Sequence, residues 1–210
     1  AVVINFTQGE AEPMPEPEPG DYPSNAFEER VGKTSFESYD EIIGLLEGDE
    51  AYALVKVYGY EGDVLVVAEN VFDDLEGHMA AIECTPYTVK ADGKCSADGV
   101  LFTGGTGTPV ALSSDGFFFT ATHETVDKQC YGTKGVPDAA GIMVMAYAFA
   151  EEFDDNGTPK TVGGFIRTKN SVAEGEDDTV NISETDVAKW KALFGEYQKA
   201  ETINFTPVSK

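Results

Sequence analysis

Four short turn signals, each placed between two strand-like runs, constrain the fold of this chain more than any other feature. The signals are Glu-Gly-Asp at 61–63, Asp-Gly at 92–93, Asp-Gly at 115–116 and Asp-Asp-Asn-Gly at 154–157. Glycine, Asn and Asp adopt the backbone conformations that tight hairpins require, and the flanking runs are rich in β-branched and aromatic residues. Four successive hairpins predict an antiparallel sheet that is curled, or closed into a barrel, so that its edges are protected.

Two amphipathic helices are predicted beside these strands. Ser38 and Glu41 form a capping box before an apolar run, and Gly48 is placed to end the first helix. Ser183 or Thr185 caps the second helix. One face of this second helix carries its large apolar side chains, which are Val187, Trp190, Leu193, Phe194 and Tyr197. The predicted fold class is therefore α+β and mostly β.

The chain has 210 residues, a length that favours one sizeable core. Residues 1–8 alternate like a short N-terminal strand. Residues 9–34 begin with a Pro- and Glu-rich stretch and are predicted to be an acidic arm or linker. Residues 35–210 are predicted to form a single β-rich globular domain. No apolar run approaches the roughly 20 residues that a membrane-spanning helix requires.

The chain carries a formal net charge of -24, since it has 14 Lys and Arg residues and 38 Asp and Glu residues. This charge repels nucleic-acid phosphates and anionic lipid surfaces, because binding to both depends on cationic side chains. We therefore expect no nucleic-acid partner and no membrane insertion. Basic proteins and divalent cations are electrostatically suitable partners. Edge strands offer a route to a protein partner or to self-association.

The three cysteines, Cys84, Cys95 and Cys130, form no metal-binding motif, and their odd number excludes a complete disulfide framework. A two-residue turn in the second hairpin places Lys90 opposite Cys95 and Leu101 opposite Cys84. In that register Cys84 and Cys95 are not facing partners. We expect all three thiols to be reduced.

A weak candidate metal site is the loop that contains Asp73, Asp74, Glu76 and His78. Carboxylate-rich loops bind Ca²⁺ weakly, and a histidine beside carboxylates is able to act as a metal ligand or a general base. Solvated turns and surface histidines are the more common explanation, which also applies to His123. No catalytic motif, phosphate-binding loop or EF-hand loop is present in the sequence. The sequence therefore predicts no catalytic residue and no cofactor beyond weak Ca²⁺ binding.

Aromatic residues are frequent in the predicted strands, and Tyr147 and Phe149 are among them. Core packing is their default role. If the sheet closes into a barrel, some of these rings would line a cavity for a small ligand or a flavin.

The tetrapeptide Ile-Asn-Phe-Thr occurs at residues 4–7 and again at residues 203–206, in a strand-like context both times. One interpretation is two edge strands of similar composition. A second is that residues 1–8 enter a neighbouring molecule by strand exchange, carried on the extended arm, and a third is a tandem array of such domains. The apolar residues of this predicted interaction strand are Val3, Ile4, Phe6, Ile203 and Phe205.

Three further runs carry a resemblance to a known group of proteins. They are Ser-Phe-Glu-Ser-Tyr-Asp-Glu-Ile-Ile at 35–43, Gly-Tyr-Glu-Gly-Asp-Val-Leu at 59–65 and Gly-His-Met-Ala-Ala-Ile-Glu at 77–83. Together with the closing Ile-Asn-Phe-Thr, they resemble uncharacterised secreted or lipoprotein-type domains of anaerobic gut bacteria. The resemblance implies a cell-surface location, and it carries no activity or catalytic residue to this chain.

These observations favour a non-enzymatic binding or interaction domain, extracellular or at the cell surface, whose ligand the sequence does not identify. One alternative is a structural subunit that polymerises by exchange of its N-terminal strand. The other alternative is a β-barrel that binds a small ligand or a flavin.

Overall fold

The computed structural model describes residues 25–132, 141–167 and 179–208. Its helices are α1 (Ala26–Val31), α2 (Tyr39–Leu45) and α3 (Val187–Tyr197). The strands, in chain order, are β1 (Ala51–Val55), β2 (Val64–Ala68), β3 (Phe72–Asp73), β4 (Met79–Ala80), β5 (Glu83–Val89), β6 (Cys95–Ala97), β7 (Leu101–Phe102), β8 (Ala111–Leu112), β9 (Phe118–Ala121), β10 (Thr125–Tyr131), β11 (Ile142–Phe153), β12 (Pro159–Arg167), β13 (Thr179–Asn181), β14 (Glu201–Thr202) and β15 (Thr206–Pro207). This content confirms the predicted α+β, mostly β class.

The described strands form three antiparallel sheets. The first sheet has the order β15-β1-β2-β5-β6, and β7 also pairs with β5. The second sheet has the order β13-β12-β11-β10-β9-β8-β14, and β3 pairs with β4 in a separate hairpin. Because the first and last strands of each large sheet do not pair with one another, neither sheet closes into a barrel over the described residues.

The four predicted hairpins are present as β1–β2, β5–β6, β8–β9 and β11–β12. The β5–β6 hairpin differs from the prediction in register, because Val89 and not Lys90 lies opposite Cys95. Gly93 has a φ of 82° and donates its N–H to the carbonyl of Lys90 at 2.9 Å. This positive φ produces a longer turn with a bulge, which shifts the pairing by one residue.

The cysteines match the prediction from the sequence. Leu101 lies opposite Cys84, as predicted. Cys84, Cys95 and Cys130 are all buried and unbridged. Burial raises the pKa of the Cys130 thiol to about 11, so this thiol stays protonated near neutral pH.

The globular domain begins earlier than predicted, because α1 lies within residues 9–34, the segment assigned to the linker. The side chain of Asn25 caps this helix by accepting the N–H of Glu28 at 3.1 Å. Phe27 is fully buried, and its ring lies 5.7 Å from that of Phe36 and 6.2 Å from that of Tyr87. A single buried aromatic side chain thus anchors a helix too short to show a periodic pattern. The predicted strand at residues 1–8 lies outside the described residues.

The N-cap of α2 agrees with the prediction, whereas its C-terminal end and the N-cap of α3 differ, since α2 ends at Leu45, three residues before the predicted Gly48. Ser38 caps α2, since its hydroxyl accepts the N–H of Glu41 at 3.2 Å. The N-cap residue of α3 is Asp186, which replaces the predicted Ser183 or Thr185. The carboxylate of Asp186 pairs with Lys189 at 2.8 Å, one turn into the helix. A turn from Ser183 to Asp186 precedes the helix and delays its start.

Three apolar clusters hold these elements in layers. One cluster fills the space between the two large sheets and includes Val66 of β2 and Phe118 of β9. The second packs α3 on the outer face of the second sheet through Trp190. The third packs α1 and α2 on the outer face of the first sheet. On the inner face of the second sheet, the cluster covers Phe118, whereas Tyr147 lies outside it and is partly exposed.

A buried polar group, the Asp98 cluster, joins the two large sheets. The carboxylate of Asp98 accepts hydrogen bonds from the hydroxyls of Thr88 at 2.6 Å and of Tyr131 at 2.9 Å, and it pairs with the ammonium of Lys90. Thr88 lies on β5 in the first sheet and Tyr131 on β10 in the second. The cluster therefore fixes β10 relative to the first sheet, and β10 also carries Asp127.

Candidate functional site

A row of facing residues crosses five strands of the second sheet, from β9 to β13. Its members are Thr120, Asp127, Tyr147, Phe165 and Asn181, each paired directly with the next. Their sequence neighbours, such as Phe119 and Ala148, pack against α3 on the outer face. Because side chains alternate along a strand, the row lies on the inner face. We call it the aromatic row.

Three partly exposed aromatic rings dominate this surface. The ring of Tyr147 lies 5.6 Å from that of Phe149, which is two residues along β11, and 6.3 Å from that of Phe165. Phe149 leans over the neighbouring strand at Gly163, where a Cβ would come within 2.4 Å of the ring. The missing side chain at Gly163 thus allows the ring to cover the sheet. The guanidinium of Arg167 lies 5.4 Å from the Phe165 ring, a cation–π distance.

Asp127 places a carboxyl group beside these rings. The hydroxyl of Thr120 donates to its Oδ2 across 3.5 Å, a long hydrogen bond, and Thr120 itself accepts from Gln129 Nε2 at 3.2 Å. Burial raises the pKa of Asp127 to about 6, and the Thr120 hydrogen bond opposes this rise in part. Burial, and to a smaller extent the charge of Asp127, also raises the pKa of Tyr147. The site thus combines a poorly solvated carboxylate with aromatic rings.

The cation nearest to Asp127 in the sequence is engaged elsewhere. Lys128 points to the outer face, where its ammonium lies 4.4 Å from the centre of the Phe117 ring and 2.7 Å from Glu196. A β-bulge follows Lys128, between the pairs that it and Gln129 make with β11. Within the part of the chain that the structure describes, no ion pair neutralises Asp127.

The candidate metal loop uses its carboxylates to close the β3–β4 hairpin. Asp73 accepts the N–H of Leu75 at 2.8 Å. Asp74 accepts the N–H groups of Glu76 and His78 and contacts His78 Nδ1 at 2.7 Å. The backbone hydrogen bond from His78 is the main reason why the pKa of Asp74 is lowered to about 2. Among the described residues, no group of three or more His, Cys, Asp or Glu side chains is arranged to hold a metal ion, so weak Ca²⁺ binding stays a prediction.

Those of the other predicted site residues that the structure describes are separate from the aromatic row. Ile203 and Phe205 are 4% and 2% exposed and belong to the cluster between the sheets. Val3, Ile4 and Phe6 lie outside the described residues. The ring of His123 is 5.1 Å from that of Phe153, and the residue is exposed.

Sequence reasoning identified Tyr147 and Phe149 as strand aromatics but missed Asp127 and Phe165 as site residues. The strand that carries Asp127 was not predicted, since it follows β9 after a short turn and contains several polar residues. The signal for this strand is incomplete, because Val126 and Cys130 fall on one face of a strand but the polar Lys128 stands between them on that face.

The described helices include none that is long and apolar enough to cross a membrane. Comparison of the chain with protein-family models, with curated proteins and with solved structures finds no match.

Proposed function

We propose that this chain is a non-enzymatic binding domain whose aromatic row accepts a cationic group, such as a Lys or Arg side chain, from a protein partner. The observation that carries the proposal is Asp127, a half-buried carboxyl group beside Tyr147 whose pKa is raised to about 6. The hydrogen bond from Thr120 stabilises the charge of this carboxylate only in part, and a ligand that supplies a positive charge would stabilise it further.

The contribution of Asp127 to the binding free energy can be estimated from its pKa. A carboxyl pKa that returns from about 6 toward its ordinary value corresponds to on the order of 2 kcal/mol after allowance for solvent screening. This is one part of a binding energy, since a partner also covers the rings and loses conformational freedom. We therefore expect Asp127 to act as one anchor within a larger contact.

The aromatic rings suit the same ligand. The faces of Tyr and Phe rings attract cations, and Arg167 already occupies such a position beside Phe165. The net charge of -24 attracts basic partners over longer distances and raises their rate of encounter. Ring, carboxylate and overall charge thus all favour a cationic ligand over an anionic one.

Calorimetry with two probes tests the proposal: a lysine-rich peptide and a neutral glucose oligomer. The peptide is expected to bind wild type. We expect Asp127→Asn and Tyr147→Ala to weaken that binding by about tenfold each, equivalent to about 1.4 kcal/mol. Affinity for the peptide should also rise as the pH passes upward through 6, because the ionised form of Asp127 binds it.

A matched control separates this site from general attraction to an acidic surface. Phe102 is 52% exposed on β7 in the first sheet, so Phe102→Ala removes an exposed ring outside the row. Equal losses in Phe102→Ala and Tyr147→Ala, or complete loss of peptide binding at about 0.3 M salt, would show screened, non-specific attraction. Binding of the glucose oligomer without the peptide would identify a sugar site instead.

We also propose that the domain acts outside the cell or at its surface. The support is its acidic composition, the Pro- and Glu-rich stretch within residues 9–34 and the resemblance described above. Antibodies against the domain are expected to label intact cells of the source. Labelling that requires permeabilised cells would contradict this location.

A further inference from the structure

Residues 203–206, near the end of the described chain, occupy a slot in the fold. Particular side chains hold them there. Ile203 and Phe205 insert into the cluster between the sheets. The side-chain oxygen of Asn204 accepts the N–H of Met79 at 2.9 Å, while the N–H of Phe205 donates to the Met79 carbonyl at 2.8 Å. Residues 203–206 therefore make apolar contacts through two side chains and a specific hydrogen bond through a third.

The same four residue types stand at positions 4–7. An Ile-Asn-Phe-Thr segment reproduces both apolar side chains, the amide that caps Met79 and the Thr that faces Tyr52, whose present partner is Thr206. Gln8 stands where Pro207 follows in the other copy, so no proline interrupts the segment. The repeated sequence therefore retains each side chain that the slot contacts.

We propose that residues 4–7 of one copy of this chain occupy the slot of residues 203–206 in a second copy, by strand exchange. The topology permits it, because among the described strands β14 pairs with β8 alone and β15 pairs with β1 alone, each at the edge of a large sheet. The resident segment is able to leave without unthreading any other strand. If extended at roughly 3 Å per residue, the 18 residues from 8 to 25 would span about 55 Å, a length suited to reaching a neighbour.

Identical contacts make the exchange nearly neutral in energy within the slot. The resident segment is joined to α3 by residues 198–200, so its effective concentration is in the millimolar range or higher. Exchange is therefore a minor state at low protein concentration, and it increases with concentration or when the resident segment is weakened. A suitable experiment therefore captures the exchanged state covalently as it forms.

Disulfide trapping uses two chains, each with one added cysteine. A chain with Thr7→Cys is mixed with a full chain that carries Tyr52→Cys, because a strand residue directly opposite in an antiparallel pair lies close enough to bridge. The matched control carries Leu54→Cys instead, at a residue two positions along β1 that is 52% exposed. We expect the Tyr52→Cys partner to form the mixed disulfide at least about fivefold faster than the Leu54→Cys partner.

Three further variants complete the test. Ile4→Ser with Phe6→Ser in the donor is expected to lower the rate to that of the control. Ile203→Ser in the acceptor is expected to raise the rate of mixed-disulfide formation further, because it weakens the resident segment. If this variant does not fold, the comparison of the Tyr52→Cys and Leu54→Cys partners decides the test. Equal rates for the two cysteine partners, or a Thr7→Cys, Tyr52→Cys double variant that bridges only within its own chain at every concentration, would refute exchange between copies.

Discussion

Replacement of Asp98 by alanine tests how the two large sheets are held together. The Asp98 side chain is fully buried, whereas that of its partner Lys90 is 18% exposed. Loss of the carboxylate leaves a largely buried ammonium without this partner and removes the acceptor of the Thr88 and Tyr131 hydroxyls. Removal of one member of a buried ion pair costs about 3–5 kcal/mol. This is a large share of the roughly 5–15 kcal/mol by which a domain is stable.

Urea unfolding followed by circular dichroism and by Trp190 fluorescence measures this loss in the free energy of unfolding. The matched control is Asp63→Ala, which removes a surface pair with Lys56 whose side chains are 51% and 73% exposed. Such a pair contributes about 0.5 kcal/mol or less. A loss in Asp98→Ala no greater than that in Asp63→Ala would refute the argument that the Asp98 cluster joins the sheets.

Three further predictions concern single residues. Folding raises the pKa of Asp127 to about 6, because the folded chain favours the protonated carboxyl group. The resulting contribution to the free energy of unfolding is present below about pH 4 and is lost as the pH rises through 6. The free energy of unfolding of Asp127→Asn, measured in urea, should thus exceed that of wild type by about 1–2 kcal/mol at pH 8 and equal it at pH 4. An equal difference at both pH values would contradict this cause. Gly164 has a φ of +128° and a Cβ there would lie 2.0 Å from the Tyr147 carbonyl oxygen, so Gly164→Ala should cost more than about 2 kcal/mol. Gly99→Ala, at a φ of +119° in open space, should cost less in the same assay, and similar losses would mean that crowding is not the cause. Ser38→Ala should cost about 1 kcal/mol in thermal unfolding through loss of the α2 cap, and no change would show that the cap is not needed.

The hairpins were predictable because the residues that determine each turn lie within the turn itself. Gly116, for example, adopts a φ of 87° in the turn between β8 and β9, a conformation that favours glycine. The register of the Asp92-Gly93 hairpin was not predictable in this way. The same dipeptide fits a two-residue turn and a longer bulged turn, and these two turns differ by one residue in strand register. Helix α1 was missed because only one of its side chains, Phe27, is fully buried, and its partner Tyr87 is distant in the sequence.

The candidate site could be predicted in part. Tyr147 and Phe149 are visible in a strand-like run, but their neighbours depend on which strands pair. Asp127 lies opposite Tyr147 because β10 pairs with β11, a contact between segments separated by residues 132–141. Its raised pKa follows from burial in the folded chain and has no signature in the sequence. Composition indicates only that a basic ligand is electrostatically suitable.

The most direct test of the central claim is the pKa of the Asp127 carboxyl group, measured by NMR with and without a saturating lysine-rich peptide. The free chain is expected to give a pKa of about 6. With the peptide bound, we expect the pKa to fall toward about 4, because a cation beside the carboxylate stabilises its charged form. A pKa that stays near 6 while the peptide is bound elsewhere on the chain, or a peptide that does not bind, would contradict the proposal that the aromatic row accepts a cationic partner.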